Sequence, residues 1–299
     1  MRIGVGPAVF SAGGVLLTWQ GLFTIISVCL GMYLVTRWGR ARGIVPDVVF
    51  MAVIWAIIGG IIGARLVHVI DLWSEVYQAD PVKVLMLWNG GLDVFGGILG
   101  GLAGVWACHA APALRLARRE APLFGRRARF PFFATDPSKA NIGRLRSLMD
   151  VSALALPLCL AVGRIAGIIT GSEPGEPTGM PWGIVYTNPE SVANKRYQLL
   201  ATHPAVAYEL LWDLLIFGAL WYLKDRVRPD GMLFALFIGL YAVGRFFIGF
   251  LRFDKVWLVG MGMAQLVALV VLIVIVPVVA YQIEVVRKSG SAASRRSRG

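Results

Sequence analysis

The feature that most constrains this chain is a series of apolar segments, each long enough to cross a lipid bilayer. A helix needs about 20 apolar residues to span the hydrocarbon core. Windows of that length predict seven spans, near residues 15–36, 48–70, 84–108, 148–170, 204–223, 231–250 and 256–281. The sequence therefore predicts an all-α, polytopic membrane protein with one seven-helix domain over residues 1–288 and a basic, disordered tail at 289–299.

The composition supports this class of protein, because 57% of the residues are hydrophobic and only 15% are charged. The net charge of +12 would also suit a nucleic-acid-binding protein. The basic residues flank the spans, however, and lack interleaved aromatic residues. Anionic lipid headgroups are therefore the expected counter-charge, and no nucleic-acid partner is expected.

The placement of lysine and arginine predicts the orientation in the membrane. If the first span begins outside, the inner segments are 37–47, 109–147, 224–230 and 282–299. These segments carry most of the 29 basic residues. Basic residues concentrate in cytoplasmic loops. The N-terminus is therefore predicted outside and the C-terminus in the cytoplasm. The outer segment 171–203 is rich in Pro and Gly around a strand-like WGIVY, which indicates a structured outer loop that caps a membrane cavity.

Several ionisable residues lie within or at the outer ends of these spans; they are Arg65, Arg164, Glu209, Arg245 and Arg252. A charge at the bilayer centre costs about 2.5–3.5 kcal/mol on insertion scales, so it is rare unless it faces a cavity or a partner. We therefore expect these residues to meet in one polar cavity that opens to the outer leaflet. Arginine offers a permanent charge and a planar fork of donors that suits a phospholipid phosphate.

Two other interpretations fit the same charges. The arginines could extend to the outer headgroups, or pair with Glu209 and Asp93 only to hold helices together. They could also line a transport pathway, although no long inverted repeat supports a transporter. Glycines spaced four residues apart predict close helix packing; they are Gly59 and Gly63, then Gly96, Gly100 and Gly104, and Gly97 with Gly101. The stretch NGGLDVFGG at 89–97 would also suit a re-entrant turn.

An ordered set of short motifs resembles the prolipoprotein diacylglyceryl transferases. In chain order they are WQGL (19–22), GARL (63–66), WNGGLDVFGGILGG (88–101), GRIAGIITG (163–171), PWGIV (181–185), HPAVAYE (203–209) and YAVGRFFIGFLR (241–252). The resemblance implies an enzyme of the bacterial cytoplasmic (inner) membrane that uses no cofactor or metal. Its expected partners are phosphatidylglycerol, other membrane lipids and the lipobox segment of a preprolipoprotein.

The reaction implied by the resemblance moves the diacylglyceryl group of phosphatidylglycerol onto the lipobox cysteine and releases glycerol phosphate. Such a reaction needs a thiolate nucleophile and positive charge near the leaving phosphate. The resemblance places Arg164, Arg65 and Arg252 at the lipid phosphate. It places Arg245, Glu209 and Tyr241 in catalysis, with Glu209 orienting an arginine or accepting a proton.

The sequence departs from the family pattern at several motif positions. Phe95 stands where the family usually has His or Tyr, and Gly167, Ser172 and Gly249 replace an asparagine and two glutamates. A one-residue shift would let Glu173 replace the glutamate at 172. The general base is therefore left open among Glu209, Glu173, Asp93 and His203.

Two functional hypotheses follow from these departures. The first is an active, divergent diacylglyceryl transferase. The second is a non-catalytic or repurposed relative that binds phospholipid.

Overall fold

A computed structural model describes residues 1–12, 15–44, 46–78, 80–86, 93–110, 142–253 and 256–296. Its helices are α1 (Trp19–Ala41), α2 (Pro46–Asp71), α3 (Val94–Ala110), α4 (Ile142–Thr170), α5 (Val192–Tyr197), α6 (Ala205–Leu223), α7 (Met232–Gly249) and α8 (Met263–Arg296). The strands are β1 (Arg2–Ile3), β2 (Ala8–Ala12), β3 (Val15–Thr18), β4 (Val185–Tyr186), β5 (Val256–Leu258) and β6 (Met261–Gly262). The chain divides into one unit of residues 1–34 and 149–299 and another of residues 35–148.

The prediction of an all-α, polytopic membrane protein is confirmed. Within the described ranges, six helices are long and apolar enough to cross a membrane, namely α1, α2, α4, α6, α7 and α8. The predicted third span corresponds to α3, which has 17 residues and is also apolar. That length lies at the lower limit for a membrane span.

The start of α3 differs from the prediction, because the helix begins at Val94 rather than near residue 84. Residues Pro81–Leu85 form a separate 3-10 turn. Asp93 then caps α3, since its Oδ1 accepts the Gly96 N–H at 2.9 Å. The Asp93 N–H in turn donates to the Ala64 carbonyl at 3.1 Å. Residues 89–92 of the predicted re-entrant turn at 89–97 lie outside the described residues, and residues 94–97 form the first turn of α3.

The last helix is longer than the predicted span. α8 continues to Arg296 and includes residues 289–296 of the predicted tail, while 297–299 lie outside the described residues. Residues 288–296 hold two alanines, one lysine and two arginines, which favour a helix, and also three serines and a glycine, which favour it less. Elongation of an existing helix is easier than nucleation of a new one.

In the unit of residues 1–34 and 149–299, a buried aspartate fixes the start of α7. Asp150 of α4 accepts the N–H groups of Gly231 and Phe234, at 2.9 and 3.1 Å. These donors belong to the first turn of α7, where backbone N–H groups lack partners within the helix. Nearer the other end of α7, the Trp212 indole of α6 donates to the Leu240 carbonyl at 2.9 Å. Asp150 and Trp212 therefore hold the helix that carries Tyr241 and Arg245.

The segment between α4 and α6 is structured, as the sequence predicts for 171–203. β4 pairs in parallel with β1, and Ile184, Tyr186 and Ala193 form a small core beside Ile3. The stretch from Pro174 to Pro177 runs between the end of α7 and the residues before α6. There the Glu176 N–H donates to the Leu251 carbonyl and the His203 N–H to the Glu176 carbonyl, both at 2.9 Å.

Two short hairpins precede membrane spans. β2 and β3 are antiparallel, and β3 ends at Thr18, immediately before α1. β5 and β6 are antiparallel, and β6 ends at Gly262, immediately before α8. The turn of the second hairpin consists of Val259 and Gly260, with φ of 50° and 75°.

In the unit of residues 35–148, glycines bring α2 and α3 into backbone contact. A Cβ on Gly100 would lie 2.7 Å from the Gly63 Cα and closer still to the Gly59 carbonyl. A Cβ on Gly63 would likewise lie 2.7 Å from the Gly100 Cα. No side chain fits between these helices at such points. The close packing predicted from the glycine spacing is therefore confirmed for α2 and α3.

Candidate active site

Five charged residues from four parts of the chain meet at one end of α4, α6 and α7. Arg164 is near the end of α4, and Glu173 follows in the next loop. Glu209 is in the second turn of α6. Arg245 is in the last turns of α7, and Arg252 comes just after that helix ends. All five belong to the same unit of the chain.

Glu209 is the centre of this cluster, because its carboxylate contacts all three guanidinium groups. Its Oε2 is 2.8 Å from Nη1 of Arg164, and its Oε1 accepts a hydrogen bond from Nη1 of Arg245. Nη1 of Arg252 lies 3.2 and 3.3 Å from the two carboxylate oxygens. The side chain of Glu209 is only 5% exposed, so these contacts are shielded from solvent.

Glu173 is a second bridge between two of the arginines. Its Oε2 lies 2.6 Å from Nη1 of Arg252 and 3.3 Å from Nη1 of Arg164. Although burial alone would raise the pKa of the Glu173 carboxyl, the guanidiniums of Arg252 and Arg164 hold it below its ordinary value. Glu173 is therefore ionised at neutral pH. Ser172 stands where the family usually has a glutamate. The neighbouring Glu173 supplies a carboxylate that contacts two arginines.

The cluster carries more positive than negative charge. With both carboxylates ionised, its three guanidiniums leave a net charge of +1. Within the part of the chain that the structure describes, the Nε atoms of Arg164 and Arg245 are buried and have no hydrogen-bond acceptor. A buried donor without an acceptor is costly. An anion with several acceptor oxygens, such as a phosphate diester, would balance the charge and accept from these donors.

Two further polar residues lie near the arginines. Tyr241 is buried on α7, one turn before Arg245, and is within electrostatic range of Arg164 and Arg245. Asp213 is 1% exposed and lies one turn after Glu209 on α6. Arg164 and Arg245 are also within electrostatic range of its carboxylate. Asp213 was not among the predicted site residues, although its spacing of four from Glu209 places both on one helix face.

Arg65 lies in the other unit of the chain and makes a different kind of contact. Its Nε donates to the Val84 carbonyl at 2.9 Å, and its Nη2 donates to the carbonyls of Lys83 and Met86 at 2.5 and 3.0 Å. Its guanidinium also lies 5.4 Å from the centroid of the Tyr77 ring. The arginine thus holds the segment after α2, and its role at a lipid phosphate stays a prediction.

The structure gives a physical reason for two of the unusual glycines. A Cβ on Gly249 would lie 2.5 Å from Cγ of Gln265, so the α8 glutamine occupies the space beside this position. A Cβ on Gly167 would lie 3.0 Å from Val206, which is tight packing between α4 and α6. Arg245 therefore pairs with Glu209 of the neighbouring helix, without a carboxylate at position 249. The side chain of Phe95 lies outside the described part of the structure.

The candidates for a general base differ in their surroundings. The carboxylates of Glu209 and Glu173 are held by arginines, and that of Asp93 caps α3. The ring of His203 is part of an aromatic group in which its Nδ1 lies 3.5 Å from the Tyr208 hydroxyl. That hydroxyl accepts a hydrogen bond from the Trp182 indole at 2.7 Å.

Comparison with known proteins gives a consistent result. The family model described as "Prolipoprotein diacylglyceryl transferase" matches residues 7–124 and 136–281. A protein of Dehalococcoides mccartyi is 32% identical over 94% of this chain and 95% of its own length. One of Symbiobacterium thermophilum is 31% identical over 97% of both chains, and one of Trichormus variabilis is 29% identical over 88% of this chain and 85% of its own. All three are named phosphatidylglycerol–prolipoprotein diacylglyceryl transferase.

Proposed function

Because the chain belongs to the prolipoprotein diacylglyceryl transferase family, we propose that it transfers diacylglyceryl from phosphatidylglycerol to the lipobox cysteine of preprolipoproteins. We place it in the bacterial cytoplasmic membrane, with the site toward the outer leaflet. The observation that carries the proposal is the group of Arg164, Arg245 and Arg252 around Glu209. This group has a surplus of positive charge within a membrane protein.

The proposed reaction forms one bond and breaks one. The cysteine thiolate attacks the glycerol carbon that bears the phosphate, so a carbon–sulfur bond forms as the carbon–oxygen bond breaks. The phosphate keeps the bonding electrons and leaves as glycerol phosphate, and the thiol proton passes to a base. Negative charge therefore grows on the phosphate during the reaction, and fixed positive charges near it lower the barrier.

The arginines suit this task because their donors are already oriented. Glu209 and Glu173 hold the Nη1 atoms, while Nε of Arg164 and Nε of Arg245 have no acceptor within the described chain. We assign the phosphate of phosphatidylglycerol to Arg164 and Arg252, and to Arg65 as a further proposal. We assign stabilisation of the leaving phosphate to Arg245, oriented by Glu209. Tyr241 would donate a hydrogen bond to a lipid oxygen.

The test is product formation by the purified, full-length protein with phosphatidylglycerol vesicles and a lipobox peptide. The expected product is a thioether-linked diacylglyceryl peptide, detected by mass spectrometry. Arg164→Ala is expected to abolish it. Arg226→Ala is a matched control, because the Arg226 guanidinium lies over the Tyr222 ring, 4.0 Å from its centroid, and Arg226 is not a member of the cluster.

The alternative is a non-catalytic relative that binds phospholipid, and it makes a different prediction in the same assay. It predicts that phosphatidylglycerol raises the unfolding temperature while the peptide stays unmodified. Absence of product from the unaltered protein, with membranes containing an active transferase as positive control, would contradict the proposed activity. Product from Arg164→Ala at the unaltered rate would contradict the assignment of the site.

A further inference from the structure

We infer that the hairpin formed by β5 and β6 (Val256–Gly262) inserts its apolar tip into the adjoining lipid leaflet and guides phosphatidylglycerol to the arginine cluster. This hairpin connects α7, which carries Arg245, with the last span, α8. The inference about lipid delivery rests on the proposed function. The insertion itself rests on the structure of the hairpin.

The first observation is the turn at the hairpin tip. Leu258 pairs with Met261, so Val259 and Gly260 form a two-residue turn, and both have positive φ. Turns of this kind favour Asn-Gly, because asparagine and glycine tolerate the left-handed conformation. A β-branched residue at positive φ is an outlier. Asparagine would therefore suit an exposed turn in water better than Val259.

The second observation is the exposure of the apolar side chains. Val256, Leu258 and Val259 are 63%, 60% and 82% exposed. A cluster of apolar side chains that is so exposed to water is unfavourable in a soluble protein. Such clusters mark surfaces that contact another protein or a membrane. A strained turn that directs valine away from the protein is favourable where the surroundings are hydrocarbon.

The third observation is the position of the hairpin in the chain. β6 is followed immediately by α8, whose first residue, Met263, also begins a candidate membrane span. Four residues of extended chain reach at most about 14 Å, so Val259 lies no farther than that from Met263. The hairpin is therefore confined to the surface layer of the membrane, where tryptophan is enriched; Trp257 lies in β5.

The occupant of this surface is phospholipid, because the hairpin is continuous with a membrane span at one end and follows Arg252 closely in the sequence at the other. Arg252 lies four residues before β5 and contacts both glutamates of the cluster. A phospholipid whose acyl chains lie against the hairpin would have its phosphate near this end of the cluster. The β2–β3 hairpin offers a parallel, since it also leads directly into a span and exposes Phe10 at 58%.

The direct test measures insertion and needs no catalysis. Val259→Cys is made in the full chain with Cys29, Cys108 and Cys159 replaced by alanine, and the thiol is labelled with an environment-sensitive dye. Glu190→Cys is the control, because Glu190 lies in an exposed polar turn. In vesicles of phosphatidylglycerol and phosphatidylcholine that carry acyl-chain nitroxide labels, the dye at position 259 is expected to be quenched and the dye at 190 is not. Equal, weak quenching at both positions would overturn the inference.

The kinetic test uses Val259→Asn, which relaxes the turn but removes the apolar tip. We expect an unfolding temperature equal to or above that of the unaltered protein. We expect a severalfold rise in KM for phosphatidylglycerol in vesicles, with kcat unchanged. An unchanged KM for the lipid, or a rise only in KM for the peptide, would contradict lipid delivery. If the unaltered protein yields no product, the proposed function fails, and the quenching test still decides whether the hairpin inserts.

Discussion

Glu173 shows how a single residue outside the spans completes a charge cluster within them. Its carboxylate contacts Arg164 and Arg252, and these guanidiniums hold its pKa below the ordinary value in spite of burial. A carboxyl whose pKa is lower in the folded state than in the unfolded chain stabilises the fold when ionised. This contribution is complete above the unfolded pKa and is lost as the pH falls through the folded pKa.

Stability measured against pH tests this contribution. The contribution of Glu173 to the free energy of unfolding should not vary with pH near neutrality, and it should decrease as the pH falls below the ordinary value of about 4.5. In Glu173→Gln the decrease should be smaller, because no proton is taken up at this position. The measurement is the thermal unfolding midpoint in detergent between pH 3 and pH 7. Glu190→Gln, at an exposed position, should follow the unaltered protein; identical slopes for all three proteins would contradict the linkage.

The residues of the cluster differ in how visible they are in the sequence. Arg164, Glu209 and Arg245 interrupt apolar spans, where an isolated charge is unfavourable, so their meeting could be predicted. Glu173 lies in a loop of prolines and glycines, and its contacts depend on the path of Pro174–Pro177 beside the end of α7. That path depends on tertiary contacts and leaves no periodic pattern in the sequence. Glu173 could therefore be named as a candidate, but its place in the arginine cluster could not be predicted.

At the scale of elements, α2 and α3 are held together by glycine rather than by interlocking side chains. Their backbones approach so closely that a Cβ on Gly100 would lie 2.7 Å from the Gly63 Cα. In a membrane the hydrophobic effect does not drive helices together, so close van der Waals packing at small residues takes its place. Neighbouring glycines of the same helix need not be equivalent, because only one face of α3 meets α2.

A pair of substitutions in α3 separates the two faces. Gly100→Ala is expected to lower the free energy of unfolding by about 1–3 kcal/mol, because the added methyl forces the helices apart. Gly97→Ala is expected to be neutral or slightly stabilising, because its Cβ would lie 3.8 Å from the Ala64 Cβ and alanine is the better helix former. Thermal unfolding in detergent compares the two. Equal destabilisation by both substitutions would contradict the assignment of the close contact to the face of α3 that carries Gly100.

The spans were predictable because apolar runs are long compared with any loop, whereas helix ends depend on local contacts. α3 begins only after Asp93 provides a cap, and Pro81–Leu85 forms a separate turn. The predicted span near 84–108 includes Asp93, and the stretch NGGLDVFGG at 89–97 indicates an interruption without fixing where the helix begins. α8 exceeds its span for the opposite reason, because a polar sequence can continue a helix that is already formed.

At the scale of the whole molecule, the basic residues predict an outside N-terminus and an inside C-terminus. The arginine cluster lies at the end of α4, the start of α6 and the end of α7. The same orientation would therefore place it toward the outer leaflet. The predicted orientation of the chain therefore also predicts that the reaction takes place on the outer side of the membrane.

Reporter fusions test the orientation in cells. Green fluorescent protein fused after residue 299 should fluoresce, because it folds in the cytoplasm, and alkaline phosphatase at the same point should be inactive. Alkaline phosphatase inserted in the exposed turn at Glu190 should be active. An active phosphatase at the C-terminus would reverse the predicted orientation and move the arginine cluster to the cytoplasmic side.

The pairing of β1 with β4 has a consequence for the order of events during synthesis. Arg2 and Ile3 leave the ribosome about 180 residues before their partners Val185 and Tyr186. At about 5–20 residues per second, the first strand waits roughly 10–40 s for its partner. Several spans must be inserted during that interval. The pairing of β1 with β4 therefore forms late, although β1 is synthesised long before β4.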